Sequence, residues 1–94
     1  MRNMNEIYIV GEQGPEHNSI SSVHTTYDGA LEAWNKLRLM LIEEAKSGME
    51  YCKKDGRNTE MYEGMLKNLN CIDPKKIDNY PFETPYIEKR KVMV

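Results

Sequence analysis

The feature that most constrains the fold is a long segment in which apolar residues recur at spacings of three and four. That spacing places them on one side of an α-helix, which must then be buried against another element. Thr25 is expected to cap this helix, with Asp28 completing a capping box. The recurring apolar positions are Tyr27, Ala30, Leu31, Trp34, Leu37, Leu41, Ala45 and Met49.

A second, shorter helix is predicted after the first. Gly48 lies inside the periodic pattern and leaves open whether the first helix breaks there, but "MEYCKKDG" has helical composition and favours a helix over about 26–54. The stretch "DGRN" then predicts a turn. A helix over about 59–70 follows, and so short a connection indicates an antiparallel helical hairpin. Its apolar positions are Met61, Met65, Leu66 and Leu69.

Three segments carry β-type residues. "EIYIV" (6–10) and "SISSVHT" (19–25) predict an antiparallel hairpin, and "YIEKRKVMV" (86–94) predicts a closing strand beside 6–10. Ile20 and Val23 differ in parity, so they share a face of the sheet only if a β-bulge lies near Ser21 and Ser22. The cations Lys89, Arg90 and Lys91 indicate a sheet edge guarded against aggregation, with a phosphate-binding surface as the alternative.

The order of these segments predicts one α+β domain over residues 1–94. A small antiparallel three-stranded sheet, made of a β-hairpin plus a C-terminal strand, is packed on one face by a helical hairpin. The stretch 71–85 holds three of the four prolines and is expected to be an ordered loop. That loop should pack Ile77, Tyr80 and Phe82 onto the rest of the domain.

The first helix carries more apolar residues than one sheet can cover. In "LRLMLI" (37–42), Leu39, Met40 and Ile42 point away from the side set by Trp34 and Leu41. A chain of 94 residues builds only a modest core, so large side chains on a second side indicate a subunit or partner interface. We expect Leu39, Met40, Ile42 and the neighbouring Tyr51 to form it, with a homodimer built through this helix.

Charge and cysteine content exclude several classes of protein. The formal net charge is −2, from 13 basic and 15 acidic side chains, which favours neither nucleic acid nor mimicry of DNA. The N-terminal stretch "MRNMNE" is polar, and no apolar run has the length of a membrane span. Together with only two cysteines, this predicts a reduced, cytoplasmic setting without membrane contact.

Part of the chain resembles small uncharacterised accessory proteins of tailed bacteriophages and their Gram-positive hosts. The residues that carry the resemblance are "IYIV", "SISSVHTTYDGALEAWNKL" and "PYIEKRKV", within about 5–42 and 85–94. The shared outline is a β-hairpin, a Ser/Thr-capped helix and a C-terminal strand. His24 departs from it, because an aromatic or aliphatic residue is expected before the capping pair. The resemblance implies a phage-type accessory protein, in the host cytoplasm if phage-encoded, and implies no enzyme.

The candidate chemical motifs lack the neighbouring elements or the residue spacing that their chemistry requires. "GEQGPEHNSI" (11–20) has glycines suited to a phosphate loop, but a β-type run follows it where a phosphate loop needs a helix, so we interpret it as the hairpin connection. His17, His24, Cys52 and Cys71 lack the close spacing of a zinc site or a recognisable nucleophilic motif. We therefore predict no enzymatic activity, no metal and no cofactor.

Two functions remain from the sequence. The first is a protein that binds and inhibits a host or anti-phage defence protein through the interface on the first helix. The second is an oligomer that sequesters a nucleotide-like signalling molecule, with arginines on its phosphates and aromatic rings stacked on its base. The residues predicted for this second function are Trp34, Arg38, Arg57, Tyr62 and Arg90.

Overall fold

The described part of the chain is built from three strands and two helices. The computed structural model describes residues 4–14, 18–77 and 83–93. Strands β1 (Met4–Gln13) and β2 (Asn18–His24) precede helices α1 (Tyr27–Lys54) and α2 (Glu60–Leu69), and strand β3 (Thr84–Met93) follows. The strands form an antiparallel sheet in the order β2-β1-β3. The helices pack on one face of this sheet, so the predicted α+β class is confirmed.

Helix α1 is continuous for 28 residues and passes through Gly48 without a break. Its N-cap is Thr26, whose Oγ1 accepts a hydrogen bond of 3.1 Å from the backbone N–H of Gly29. The predicted cap at Thr25 is therefore wrong by one residue, because the backbone of Thr26 is still extended and helical geometry begins only at Tyr27. Near the other end, Lys53 and Lys54 complement the helix dipole.

Gly48 allows α1 and α2 to pack closely against each other. A β-carbon at Gly48 would lie only 2.6 Å from the ring of Tyr62 on α2. Glycine is thus the residue that lets the Tyr62 ring lie directly on the α1 backbone. The turn between the helices uses a different glycine, because Gly56 has a φ of 71°, in the left-handed region that favours glycine.

The core lies between the sheet and α1 and continues between α1 and α2. Trp34 and Leu41 of α1 are fully buried, as are Val10 of β1 and Leu69 of α2. Ile77 packs against this core, as predicted, whereas Tyr80 and Phe82 lie outside the described residues. The buried members of the core are Val10, Ala30, Trp34, Leu37, Leu41, Ile42, Ala45, Met65 and Leu69.

Strand β2 contains the predicted bulge. Val10 pairs with Ser22 and the next residue of β1, Gly11, pairs with Ile20, so Ser21 is the extra residue on β2. The bulge restores Ile20 and Val23 to the same face of the sheet. That face is not the one that packs on the helices, because Ile20 lies opposite Gly11 and Val23 opposite Ile9, whereas Val10 faces the core.

Strand β1 is longer than predicted, because Gly11 lies within the strand. The prediction ended the strand before Gly11 and gave that glycine to the bend, but β1 continues to Gln13. A β-carbon at Gly11 would lie 2.7 Å from Tyr86 Oη, so the missing side chain makes room for the Tyr86 ring on the neighbouring strand. Tyr86 Oη then donates a hydrogen bond of 2.7 Å to Asn18 Oδ1 on β2. Residues 15–17 of the connection lie outside the described residues.

Candidate functional site

One candidate interaction surface lies on α1 and consists of Leu39, Met40 and Tyr51, called the helix surface below. Met40 is 48 % exposed and Tyr51 65 % exposed, and half of the Leu39 side chain is also exposed. Met40 and Tyr51 are eleven positions apart, about three helical turns, so both project from the same side of α1. Leu39 lies about 100° around the helix from Met40. The helix surface therefore spans a broad part of the solvent side of α1.

Ile42, the fourth residue expected at this interface, lies instead in the core and is only 8 % exposed. It belongs to the same buried cluster as Met65 and Leu69 of α2. The sequence argument assumed that the sheet alone covers α1. Because α2 packs along a second side of α1, more of the circumference of α1 is buried than the side that faces the sheet. The buried part includes Ile42.

A second candidate surface is the face of the sheet turned away from the helices, called the open sheet face below. Residues that lie opposite each other in neighbouring strands project to the same face of the sheet. The strand pairing therefore identifies which side chains belong to the open sheet face. On β2, Ile20 is 64 % exposed and Val23 is 55 % exposed. The apolar and aromatic side chains of this face are Ile7, Ile9, Ile20, Val23, Tyr86 and Val92.

The open sheet face also carries two opposite charges on β3. Glu88 lies opposite Ile9 and Arg90 opposite Ile7, and an Arg90 Nη is 3.3 Å from Glu88 Oε1. The neighbouring cation Lys89 projects to the helix side of the sheet, where its Nζ is 3.2 Å from Glu6 Oε2. The three successive cations of β3 are thus divided between the two faces. Arg90, one of the residues predicted for phosphate binding, lies beside a carboxylate on an apolar face.

Two of the predicted ligand-binding residues, Trp34 and Arg38, do lie together. The Arg38 guanidinium carbon is 5.9 Å from the centroid of the Trp34 ring. Both side chains are buried, however, and Arg38 binds within the chain. One Nη donates to the Leu69 carbonyl oxygen (2.8 Å), while Nε (3.0 Å) and the other Nη (2.8 Å) donate to Asn35 Oδ1. Arg38 therefore fastens the end of α2 to α1.

The other residues predicted for ligand binding are not brought to the same place. Tyr62 packs against the α1 backbone at Gly48. Arg57 lies in the turn between the helices, where its Nε is 3.8 Å from Asp55 Oδ2. Since Arg90 lies on the open sheet face, the predicted set does not form one binding site.

A cleft that the sequence did not predict lies at the junction of α1, the sheet and the segment that follows α2. Its volume is about 350 Å³, within the range of small-molecule sites. Tyr8 and Tyr27 meet edge to face in its wall, with ring centroids 5.7 Å apart. We call this site the tyrosine cleft, and its lining is Tyr8, Tyr27, Pro74, Lys75, Ile87 and Lys89. Since the lining comes from four separate segments, no local sequence pattern marks it.

His24 and Cys71, two of the residues considered for zinc or catalysis, have separate hydrogen-bond partners. His24 Nε2 is 2.7 Å from Ser22 Oγ, and the Cys71 thiol donates to the carbonyl oxygen of Asp73 (3.5 Å). His17 lies outside the described residues. Within residues 4–14, 18–77 and 83–93, no three His, Cys, Asp or Glu side chains are grouped closely enough to hold a metal ion.

Comparisons of the chain with protein-family models, curated proteins and solved structures found no match. No helix in the described part of the chain has the length and apolar character needed to cross a bilayer. The functional argument therefore depends on the surfaces themselves, namely the helix surface, the open sheet face and the tyrosine cleft.

Proposed function

We propose that this protein is a non-enzymatic, phage-type accessory protein that binds and inhibits a host or anti-phage defence protein, acting as a homodimer. The observation that supports a binding role is the exposure of Leu39, Met40 and Tyr51 on a helix that is itself held by the core. Large apolar side chains that stay exposed along one helix of a small domain favour a protein interface. The phage context rests on the sequence resemblance alone.

The helix surface has the chemistry of a protein contact. Methionine adapts to irregular partners, and tyrosine adds a large rigid contact with a polar end. Both are placed by a regular helix, so binding needs little backbone ordering and loses little affinity to entropy. The occupant that fits is a folded protein with an apolar groove, into which Met40 and Tyr51 insert.

The experiment compares two methionines of similar exposure. Met40→Glu is expected to reduce the amount of protein captured from host extract by at least about tenfold, because it places an unpaired charge in the contact. Met61→Glu is the matched control, since Met61 lies on α2 outside the helix surface and is 43 % exposed. Quantitative mass spectrometry measures the capture, and the activity of the captured protein is then assayed with and without this chain.

Equal capture by the Met40→Glu and wild-type proteins would contradict the proposed use of the helix surface. Equal loss in the Met40→Glu and Met61→Glu variants would contradict it too. Thermal unfolding checks that both variants remain folded, and each exposed substitution is expected to change the free energy of unfolding by less than about 0.5 kcal/mol.

The tyrosine cleft supports a second candidate function, the sequestering of a nucleotide-like signalling molecule. Tyr8 and Tyr27 provide aromatic surface, and Lys75 and Lys89 lie in the lining where an anionic group would be held. Lys89 also pairs with Glu6, so Lys75 is the cation better placed to receive a phosphate. The residues of this candidate differ from those predicted from the sequence.

A thermal-shift screen with mononucleotides and cyclic dinucleotides tests this second function. A ligand present at about 100 times its dissociation constant is expected to add about 2.7 kcal/mol to the free energy of unfolding. Lys75→Ala should abolish most of the shift, whereas Lys76→Ala, at the exposed neighbouring lysine outside the cleft lining, should retain it. The absence of a shift with every nucleotide would remove this candidate.

A further inference from the structure

Strand β1 is apolar on both faces, and the chain covers the face turned away from the helices only in part. Tyr8 and Val10 pack toward the helices, while Ile7 and Ile9 project to the open sheet face. A strand with one face in solvent normally alternates apolar and polar residues, whereas an uninterrupted apolar run is typical of a strand covered on both sides. The run "IYIV" is of the second kind. On that face Ile9 is only 8 % exposed, but Val23, Ile20 and Val92 are 55 %, 64 % and 42 % exposed, so the described part of the chain leaves these three side chains without a second layer over them.

We infer that this layer is a second copy of the same chain, with the two open sheet faces packed against each other. The inference goes beyond the proposed function by placing self-association on the sheet, not on α1 as the sequence predicted, which leaves the helix surface free for another protein. Val23 and Ile20 of the edge strand β2 would lie in the contact, beside Ile9 of the central strand, at the spacing of about 10 Å usual for packed sheets. The assembly would have four layers, in the order helix, sheet, sheet, helix.

The dimensions of the open sheet face set the strength expected of the contact. Three strands about 4.8 Å apart, with a rise of about 3.4 Å per residue, give it a plan area of roughly 400–500 Å². Two copies would thus bury on the order of 1,000 Å², near the lower limit for a specific interface. We expect a dissociation constant in the micromolar range.

The charges on the open sheet face suit a second copy better than an unrelated surface. Glu88 and Arg90 lie at the β3 edge of the apolar centre, and a two-fold axis can place Glu88 of one copy opposite Arg90 of the other. A face that carries one acid and one base is complementary to itself. An apolar centre with a charged rim is also the usual composition of a protein interface.

Sedimentation equilibrium of the purified chain is the first test. Between about 1 μM and about 500 μM, the wild-type mass should rise from 11.0 kDa toward twice that value. Val23→Glu is expected to weaken the association by at least about 100-fold, because it buries an unpaired charge, whereas Leu39→Glu on the helix surface should leave it unchanged. Circular dichroism verifies that both variants are folded.

Two variants that reverse single charges on the open sheet face test the inference even if Val23→Glu fails to fold. Glu88→Arg and Arg90→Glu are each expected to weaken self-association by about tenfold, because like charges then face each other. Both side chains are exposed in the single chain, so neither substitution threatens its fold. An equimolar mixture of the two variants should regain wild-type association, because each copy then offers the charge that the other lacks.

A monomeric wild type at the highest concentration would overturn the inference. A dimer disrupted by Leu39→Glu but not by Val23→Glu would overturn it as well, by placing the contact on α1. Charge variants that dimerise with wild-type affinity, or a mixture that stays monomeric, would overturn the two-fold pairing of Glu88 with Arg90. These measurements use the purified chain alone, so their outcome is independent of whether the helix surface binds a host or defence protein.

Discussion

Replacing Trp34 with alanine is expected to lower the free energy of unfolding by about 3–5 kcal/mol. Trp34 is fully buried at the point where the sheet, α1 and α2 share one core, so truncation leaves a cavity that three elements cannot close. Small domains have a total stability of about 5–15 kcal/mol, and the Trp34→Ala protein should therefore be partly unfolded at moderate temperature. Urea denaturation followed by circular dichroism, at one fixed protein concentration, measures the loss.

Trp34→Phe is the informative companion to this variant. The Nε1–H of Trp34 is buried and has no hydrogen-bond acceptor among the described residues. A buried donor without a partner costs about 1–3 kcal/mol, and phenylalanine removes that donor while keeping much of the aromatic volume. We expect Trp34→Phe to lie within about 1.5 kcal/mol of the wild type. A loss below about 1 kcal/mol for Trp34→Ala would contradict the central position assigned to this side chain.

Replacing Arg38 with alanine is expected to lower the free energy of unfolding by about 2–4 kcal/mol. The substitution removes the hydrogen bond to the carbonyl oxygen of Leu69, the last residue of α2, and removes the guanidinium that lies against Trp34. The Leu69 carbonyl would then lie at a buried helix end without its donor. Amide hydrogen exchange should show α2 losing protection before α1, because the lost bond fastens α2.

Asn35→Ala and Arg38→Lys separate the parts of this interaction. Asn35 is exposed and positions the guanidinium by accepting from two of its nitrogens, so Asn35→Ala should cost only about 1 kcal/mol. Lysine keeps the charge but lacks the planar fork, and Arg38→Lys should recover less than half of the loss. If α2 stays as protected in Arg38→Ala as in the wild type, the fastening role is wrong.

The regular elements could be predicted from the sequence because their patterns are local. Apolar spacing gave α1 as 26–54 and α2 as 59–70, against the observed Tyr27–Lys54 and Glu60–Leu69. The parity of Ile20 and Val23 predicted a bulge near Ser21 and Ser22, and the extra residue is Ser21. Strand β1 was predicted too short, because glycine suggests an interruption, whereas β2 was predicted one residue too late and β3 begins two residues earlier than predicted. The role of Gly11 depends on Tyr86, 75 positions away and on another strand.

The candidate sites were less predictable, because they depend on which elements meet. A charged residue on a helix suggests solvent exposure, yet Arg38 is buried by a contact 31 positions away. Ile42 was assigned to an interface because the sequence predicts that α2 lies beside α1 but does not indicate which side of α1 it covers. The open sheet face was overlooked for a similar reason, since the apolar run in β1 does not tell which of its faces the single chain covers.

Hydroxyl-radical footprinting of the purified protein tests most directly the claim that its uncovered apolar surfaces are binding surfaces with different occupants. In a single copy Val23 and Ile20 are more exposed than Met40. We predict that at about 500 μM, where the dimer should form, oxidation of Val23 and Ile20 falls several-fold relative to a dilute sample, while oxidation of Met40 and Tyr51 is unchanged. Oxidation at Val23 that does not depend on protein concentration, or protection of Met40 in the purified protein, would contradict the account.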